Sequence, residues 1–456
     1  MSPVLPALFV AAMSCGLPLA QQGRQATPES RPGLEAQHQR GDWSSWRGPL
    51  GTGVAPQADP PIQWSERQNV RFKVAVPGFG YGTPIVHGNQ VFVTAAEPFG
   101  PELAPVPDDA PGAHDNARVT QKHRFLAMAF DARTGEQLWR TDLHQQLPHA
   151  GFHQSSALAA ASAVTDGEHV FAFFGSYGLY CLTVDGDLVW QTDLGDMDIK
   201  HGHGEGVTPV LHGDTLVVNW DHEGPSFVVA FDKATGEERW RKQRDEVTSW
   251  STPITVEHDG RVQVIVSATG AVRAYDLATG DVIWSCRGLS HNVVASPVAA
   301  DGFVYAGSSY EKRRMFAVEL QGAKGDITNT DSVVWRRQRG TPYVPSPLLY
   351  GEWLYFLNHY QGFLARVHAR TGREAHRPIR LPGMRAIYAS PVGAANRIYL
   401  TDREGVTLVL AHPANGAEPE VLARNVLDDS FSASMAVVGD AIYLRGRQHL
   451  YCLARP

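Results

Sequence analysis

Ala230-Phe231-Asp232-Lys233-Ala234-Thr235-Gly236-Glu237-Glu238-Arg239-Trp240 decides the fold, because the chain repeats its pattern. Ala-x-Asp-x-x-Thr-Gly-x-x-x-Trp recurs in full at Ala129 to Trp139 and at Ala274 to Trp284. Degenerate copies stand at Leu182 to Trp190, with Asp185-Gly186, and at Val367 to His376, with Thr371-Gly372. Asp-x-x-Thr-Gly predicts a tight hairpin. Glycine takes a positive φ without strain, and the Asp and Thr side chains accept from turn amides. The closing Trp reads as packing between neighbouring units.

A second phrase precedes each copy. It is Ser or Thr, then Pro, two apolar residues, a Gly turn and an alternating apolar run. It begins at Thr83-Pro84, Thr208-Pro209, Thr252-Pro253, Ser296-Pro297, Ser346-Pro347 and Ser390-Pro391. Variants without Pro begin at Ser162-Ala163 and Ser434-Met435. The intervals are 79, 46, 44, 44, 50, 44 and 44 residues, the first lengthened by an insertion at 96–124 rich in Pro, Asp and Ala. Eight units of about 44 residues, each with four strand-like runs, predict an all-β, eight-bladed β-propeller of four-stranded antiparallel blades. In the third unit the runs are Thr208–Leu211, Thr215–Trp220, Phe227–Phe231 and Glu238–Lys242, bounded by Gly or Asp as half-buried strands are.

The last unit stops short. It ends at Pro456 after its third strand, Leu450–Leu453. Asn69–Val76 has outer-strand character and aligns with Gln137–Asp142, Phe72 standing for the Trp. This N-terminal strand is expected to complete the eighth blade and close the ring, removing an open edge. Residues 60–456 are then one domain, although a length of 456 divided by about 150 residues per domain suggests three.

Composition agrees. The chain has 44 Gly, 30 Pro and only 19% charged residues, as recurring turns and packed short strands require. Its net charge of −7 argues against a nucleic-acid partner held by bulk positive charge. Apart from the N-terminus no apolar run reaches membrane-helix length, so an integral membrane protein is not expected. Residues 1–20 read as a signal peptide, although no Lys or Arg precedes Arg24. Residues 21–59 read as a flexible N-terminal segment, poor in large apolar groups through 42. Export to the periplasm or cell exterior follows, with lipidation at Cys15 as the lesser alternative. Cys181, Cys286 and Cys452 sit in or beside apolar runs and read as buried free thiols; no CxxC occurs.

The 11-residue phrase resembles the tryptophan-docking motif of the pyrroloquinoline-quinone (PQQ) propeller superfamily. That superfamily holds quinoprotein alcohol dehydrogenases and non-enzymatic members such as the BamB scaffold of outer-membrane assembly. Trp46-Arg47-Gly48-Pro49, Gly53, Trp64-Ser65, Asn69-Val70 and Pro77-Gly78 also resemble the opening of secreted bacterial PQQ-like repeat proteins. The resemblance implies the fold strongly and the activity weakly. The dehydrogenases carry an adjacent-cysteine disulfide and a calcium site beside a catalytic Asp. This chain has no Cys-Cys, and no motif here matches the calcium ligands. PQQ is therefore not expected.

Propeller geometry puts the loops from outer to next inner strand, and from second to third strand, on one face around the channel mouth. There the third unit places His201-Gly202-His203-Gly204-Glu205 and Asp221-His222-Glu223. Imidazoles beside carboxylates suit a divalent metal, with His201, His203, Glu205, Asp221 and His222 as ligands. The competing reading is a hydrogen-bonded rim that braces the loops. Trp250, Asn292, Tyr343 and Tyr388 are the candidate cofactor- or ligand-binding residues. His149, His153, Gln154, His291, Tyr310, Arg313, His359, Asp402, Arg403, Asp428 and Asp429 share that face. Neither a Gly-x-Ser-x-Gly elbow nor a phosphate-binding Lys loop occurs.

Two functions follow. One is a monomeric, non-catalytic scaffold of the cell envelope, BamB-like in broad role. It would take an envelope protein, peptide or glycan on the loop face. The other is a PQQ- or metal-dependent oxidoreductase with its site near blade three.

Overall fold

The computed structural model describes residues 1–3, 41–359 and 361–456. Cys15, nearly all of the expected signal peptide and the stretch up to residue 40 lie outside the described residues. Eight antiparallel blades form the ring. Blade 3 is typical: Val210–His212, Thr215–Trp220, Phe227–Asp232 and Glu238–Gln243 pair in sequence order from the axis outward. The middle strands are buried up to the half-buried Asp232, whereas the outer strand buries only Trp240. No described helix is long and apolar enough to cross a membrane.

The repeated phrase does what its residues dictate. Asp232 Oδ1 accepts from the amides of Ala234 (2.9 Å) and Thr235 (3.1 Å). Thr235 Oγ1 accepts from Glu237 (3.2 Å), and Gly236 turns at φ +73°. Asp131 and Asp276 repeat the arrangement. Each Trp then docks on the next blade. Trp190 and Trp240 lie against Gly236 and Gly280 so closely that a Cβ there would sit 2.6–2.7 Å from the ring. Their indole N–H groups donate to Lys233 O (2.9 Å) and Leu277 O (2.8 Å). Trp139 and Trp335 do the same to Val184 and Ala369. Trp284 departs from the pattern, bonding Gln263 Oε1 within its own blade.

Closure is as the repeat predicts. Val70–Ala75 pairs antiparallel with the Leu450–Leu453 strand and completes blade 8. Phe72 faces Gly135 of blade 1 in the Trp position. Cys181, Cys286 and Cys452 are buried free thiols.

The Ser/Thr of the second phrase links the blades near the axis. The amide of Thr83 donates to Ser162 Oγ (2.8 Å), that of Ser162 to Thr208 Oγ1 (3.0 Å), and that of Thr208 to Thr252 Oγ1 (3.1 Å). Thr252 continues to Ser296 (2.8 Å), Ser296 to Ser346 (2.8 Å), Ser346 to Ser390 (2.9 Å) and Ser390 to Ser434 (2.9 Å). Seven of the eight joints are thus closed by a buried hydroxyl. At the eighth, Thr83 Oγ1 is buried with no hydrogen-bond partner among the described residues.

Residues 42–59 correct the expected flexible segment. They pack into the axis rather than hang from the ring. Asp42 meets His87 (2.8 Å) at the first hairpin of blade 1, and Trp43, 0% exposed, bridges to Val86. Thr165 of blade 2 donates to Ser44 O, and Leu349 of blade 6 to Thr52 O. Val54–Ala55 adds a parallel strand along Gly393–Ala394, the inner edge of blade 7. Asp59 then reaches Gly439 of blade 8. Arg47 is buried, its Nη2 donating to Pro347 O and Pro391 O (both 3.0 Å). The inner strand edges would otherwise line an open bore, so Trp43 and Arg47 satisfy and fill it.

Candidate functional site

Above this axial segment a cavity of 370 Å³ opens on the loop face. Trp46 belongs to its lining, as do five hydroxyls of the inter-blade belt: Ser162, Thr208, Thr252, Ser390 and Ser434. A hydroxyl that accepts from a neighbouring amide still has a proton to donate.

All four expected ligand-binding residues line this cavity: Trp250, Asn292, Tyr343 and Tyr388. Trp250 is fixed by its indole N–H to Gly204 O (2.8 Å). Tyr343 is stacked between Tyr310 (6.0 Å between ring centres) and His359 (4.5 Å). The Arg403 guanidinium lies 5.4 Å over the Tyr388 ring and donates to Gln154 O. Asn292 is 4% exposed at φ +55°, and its Oδ1 has no hydrogen-bond partner among the described residues. Buried amide oxygens are normally bonded, so this one marks a place for a ligand donor.

The five expected metal ligands are not gathered. Glu205 is drawn inward to blade 2, where Ser176 donates to it from both backbone N and Oγ (2.6 Å each). The pocket exists because Gly175 has no Cβ, which would collide with Glu205 Oε2. Burial pushes the Glu205 carboxyl up to about 7, against the pull of those bonds. Asp221 goes elsewhere, to a buried bidentate pair with Arg244 (2.7 and 3.0 Å). Ser249 and Asn219 also donate to Asp221, and Arg244 reaches the Tyr275 hydroxyl. His222 Nδ1 accepts from the Asp198 amide (3.0 Å). These three side chains brace loops.

His201 and His203 instead meet two other histidines. His114, from the blade 1 insertion, lies 4.7 Å from His203 and 5.5 Å from His201, ring centre to ring centre. His153 lies 4.8 Å from His203. Burial, then the imidazoles of His153, His114 and His201, hold His203 down to about 4. Burial lowers His153 as well. His114 had no signal in the sequence, for it sits in a Pro/Asp-rich insertion outside the repeat. The ends of that insertion extend two strands, Gln90–Phe99 and Lys122–Asp131, and its middle folds over the loop face. There Asn116–Ala117 pairs with Phe152–His153, and Asn116 donates to His201 O (2.8 Å).

The remaining loop-face residues are mostly braces. Asp402 caps the Arg385, Glu404 and Val406 amides, and Asp429 those of Ser430 and His449. His149 sits between Tyr177 and Met197 O. His291 faces Glu311 at 3.7 Å. Among the described residues, three ligand atoms fall within 4.8 Å of one another only at Asp166, Glu168 and His169. Those lie on the opposite face, and Lys233 Nζ, 2.8 Å from Asp166, already supplies a cation there.

A family model described as outer membrane protein assembly factor BamB matches residues 123–377 and 224–456. The protein of that name from Yersinia pestis is 24% identical over 231 residues, 47% of this chain and 53% of its own length. That from Burkholderia pseudomallei is 29% identical over 157 residues, 34% of this chain and 35% of its own. The chain thus spans about half or less of these relatives. The crystal structure of BamB from Moraxella catarrhalis superposes with a TM-score of 0.52 at 14% identity, covering 80% of this chain and all of that one. Quinohemoprotein alcohol dehydrogenase from Comamonas testosteroni gives 0.57 at 10% identity, covering 92% and 82%. At such identities the structures share the fold alone.

Proposed function

The chain belongs to the family of outer membrane protein assembly factor BamB, and from that premise we propose that it is an exported, non-catalytic scaffold of the cell envelope. Its loop-face cavity receives a segment of a partner protein. The observation that carries this reading is the lining. Stacked Tyr310, Tyr343 and His359, with Trp250 and Tyr388, offer flat apolar faces, while Asn292 and the hydroxyl belt offer donors and acceptors. Rigid aromatics beside short polar groups suit a polypeptide segment, since they lose little conformational freedom on contact.

PQQ fits this lining poorly. The group is a tricarboxylate, and the cavity wall carries Asp115 but neither lysine nor arginine. Calcium fares no better, because Glu205 and Asp221 are turned to Ser176 and Arg244.

A photo-reactive amino acid at Tyr310, in cells that make the protein, tests the reading. It should capture a specific envelope protein, and Trp250→Ala should reduce the yield severalfold. Equal capture from Asp259, exposed on the opposite face, would overturn it.

A further inference from the structure

We propose that His114, His153, His201 and His203 form a transition-metal site at the edge of the central cavity, for an ion of the zinc, copper or nickel class. Spacing is the first argument. A Zn–N bond of ~2.1 Å plus the radius of the ring sets imidazole centres around one tetrahedral ion about 5 Å apart. The ring centres here lie 4.7 Å apart for His114–His203, 4.8 Å for His153–His203, 5.3 Å for His201–His203 and 5.5 Å for His114–His201. His203 is the shared neighbour. His114–His153 is wider, at 6.4 Å.

Proton placement is the second. His114 Nδ1 lies 2.8 Å from Gly112 O, and His201 Nδ1 lies 2.9 Å from Pro111 O. A carbonyl only accepts, so both Nδ1 atoms carry the proton and both Nε2 atoms keep a lone pair. Metal-binding histidines are oriented by this same second contact. At His153 the Ser155 amide instead donates to Nδ1 (3.2 Å), so the neutral ring carries its proton on Nε2 and ligation there requires the other tautomer. His203 Nε2 is buried with no hydrogen-bond partner among the described residues, which is costly for a buried polar atom.

The four nitrogens do not yet share a point, because no three of them come within 4.8 Å. Binding one ion therefore requires the rings to turn from these rotamers, within the spacing that three separate loops already set. An all-imidazole donor set selects zinc, copper or nickel over magnesium or calcium. His114, His153 and His203 line the cavity, which leaves any open coordination position facing it.

This inference goes beyond the scaffold reading and is independent of it: an ion can bind with no partner present, and a partner can be captured with no ion. The chelator-stripped full chain is titrated with Zn²⁺ by calorimetry. One saturable site is expected, weakened at least tenfold by His203→Ala or His114→Ala and unchanged by Asp166→Asn. Cu²⁺ bound in its place should give an EPR spectrum with nitrogen hyperfine structure. Metal-free melting of each variant checks that it folds; should His203→Ala fail, the half-exposed His201→Ala is read instead. Absence of saturable uptake for both Zn²⁺ and Cu²⁺ would overturn the proposal. So would uptake that survives in the His114→Ala/His203→Ala double variant, or uptake that Asp166→Asn abolishes.

Discussion

Glu205 and Asp221 enter blade 3 from two loops of one face, and both are carboxylates withdrawn from water. Their surroundings differ in one respect. Asp221 meets a guanidinium that is itself 0% exposed, whereas among the described residues Glu205 accepts from the amide and hydroxyl of Ser176. The first is an ion pair sealed by Asn219, Ser249 and Tyr275. The second is a carboxyl that gains its proton near neutrality. Chain proximity therefore says little about chemical role; what stands opposite each oxygen decides it.

The largest break of this contrast is Arg244→Leu. It leaves Asp221 buried and unpaired, and removing one partner of such a pair costs about 3–5 kcal/mol. Urea unfolding measures it, and Asp221→Asn in the same chain should recover much of the loss. Glu205→Gln acts differently, through pH. Because the native carboxyl titrates higher than the unfolded one, its contribution is fully present below the unfolded value of ~4.3 and is lost as pH rises through about 7. The wild type should thus lose stability relative to Glu205→Gln between pH 5 and 8, by on the order of 1–3 kcal/mol. An unchanged difference across that window would remove the contrast. The smallest effect belongs to an exposed pair, Lys242 and Asp281 (2.9 Å). Asp281→Ala should leave the urea midpoint almost unmoved, which sets the scale for the buried pair.

The ring girdle was readable in the sequence and the axis was not. Gly236, Thr235 and Trp240 act on neighbours along the strand or one blade away, so their constraint recurs at a fixed period and leaves a visible phrase. Ser346 and Ser390 were readable as strand starts, but their hydroxyl-to-amide links join positions 44 residues apart and surface only in three dimensions. Arg47 bonds Pro391 across 344 residues, with no repeat to announce it. The cavity lining was legible because topology assigns whole loops to one face, which is why Trp250, Asn292, Tyr343 and Tyr388 fell together. The metal grouping was not. His-x-His-x-Glu gives nearness along the chain without direction, and the glycines between let Glu205 turn toward Ser176. His114 lay hidden in the one segment the repeat does not govern.

The axial segment and the strand Val70–Ala75 also set an order of events. Both stand early in the chain, and their partners at Gly393–Ala394, Gly439 and Leu450–Leu453 stand last. A chain made from its N-terminus meets blades 1 and 2 early through Trp43 and Ser44, but carries Val54–Ala55 and Val70–Ala75 for more than three hundred residues before their partner strands exist. Contacts of such sequence separation form slowly, since a long loop must close before they are rewarded. Blades 1 to 7 have all their strands in hand earlier. The ring is thus left as an open arc until the final strands exist, and its completion waits on the arrival of the last few residues.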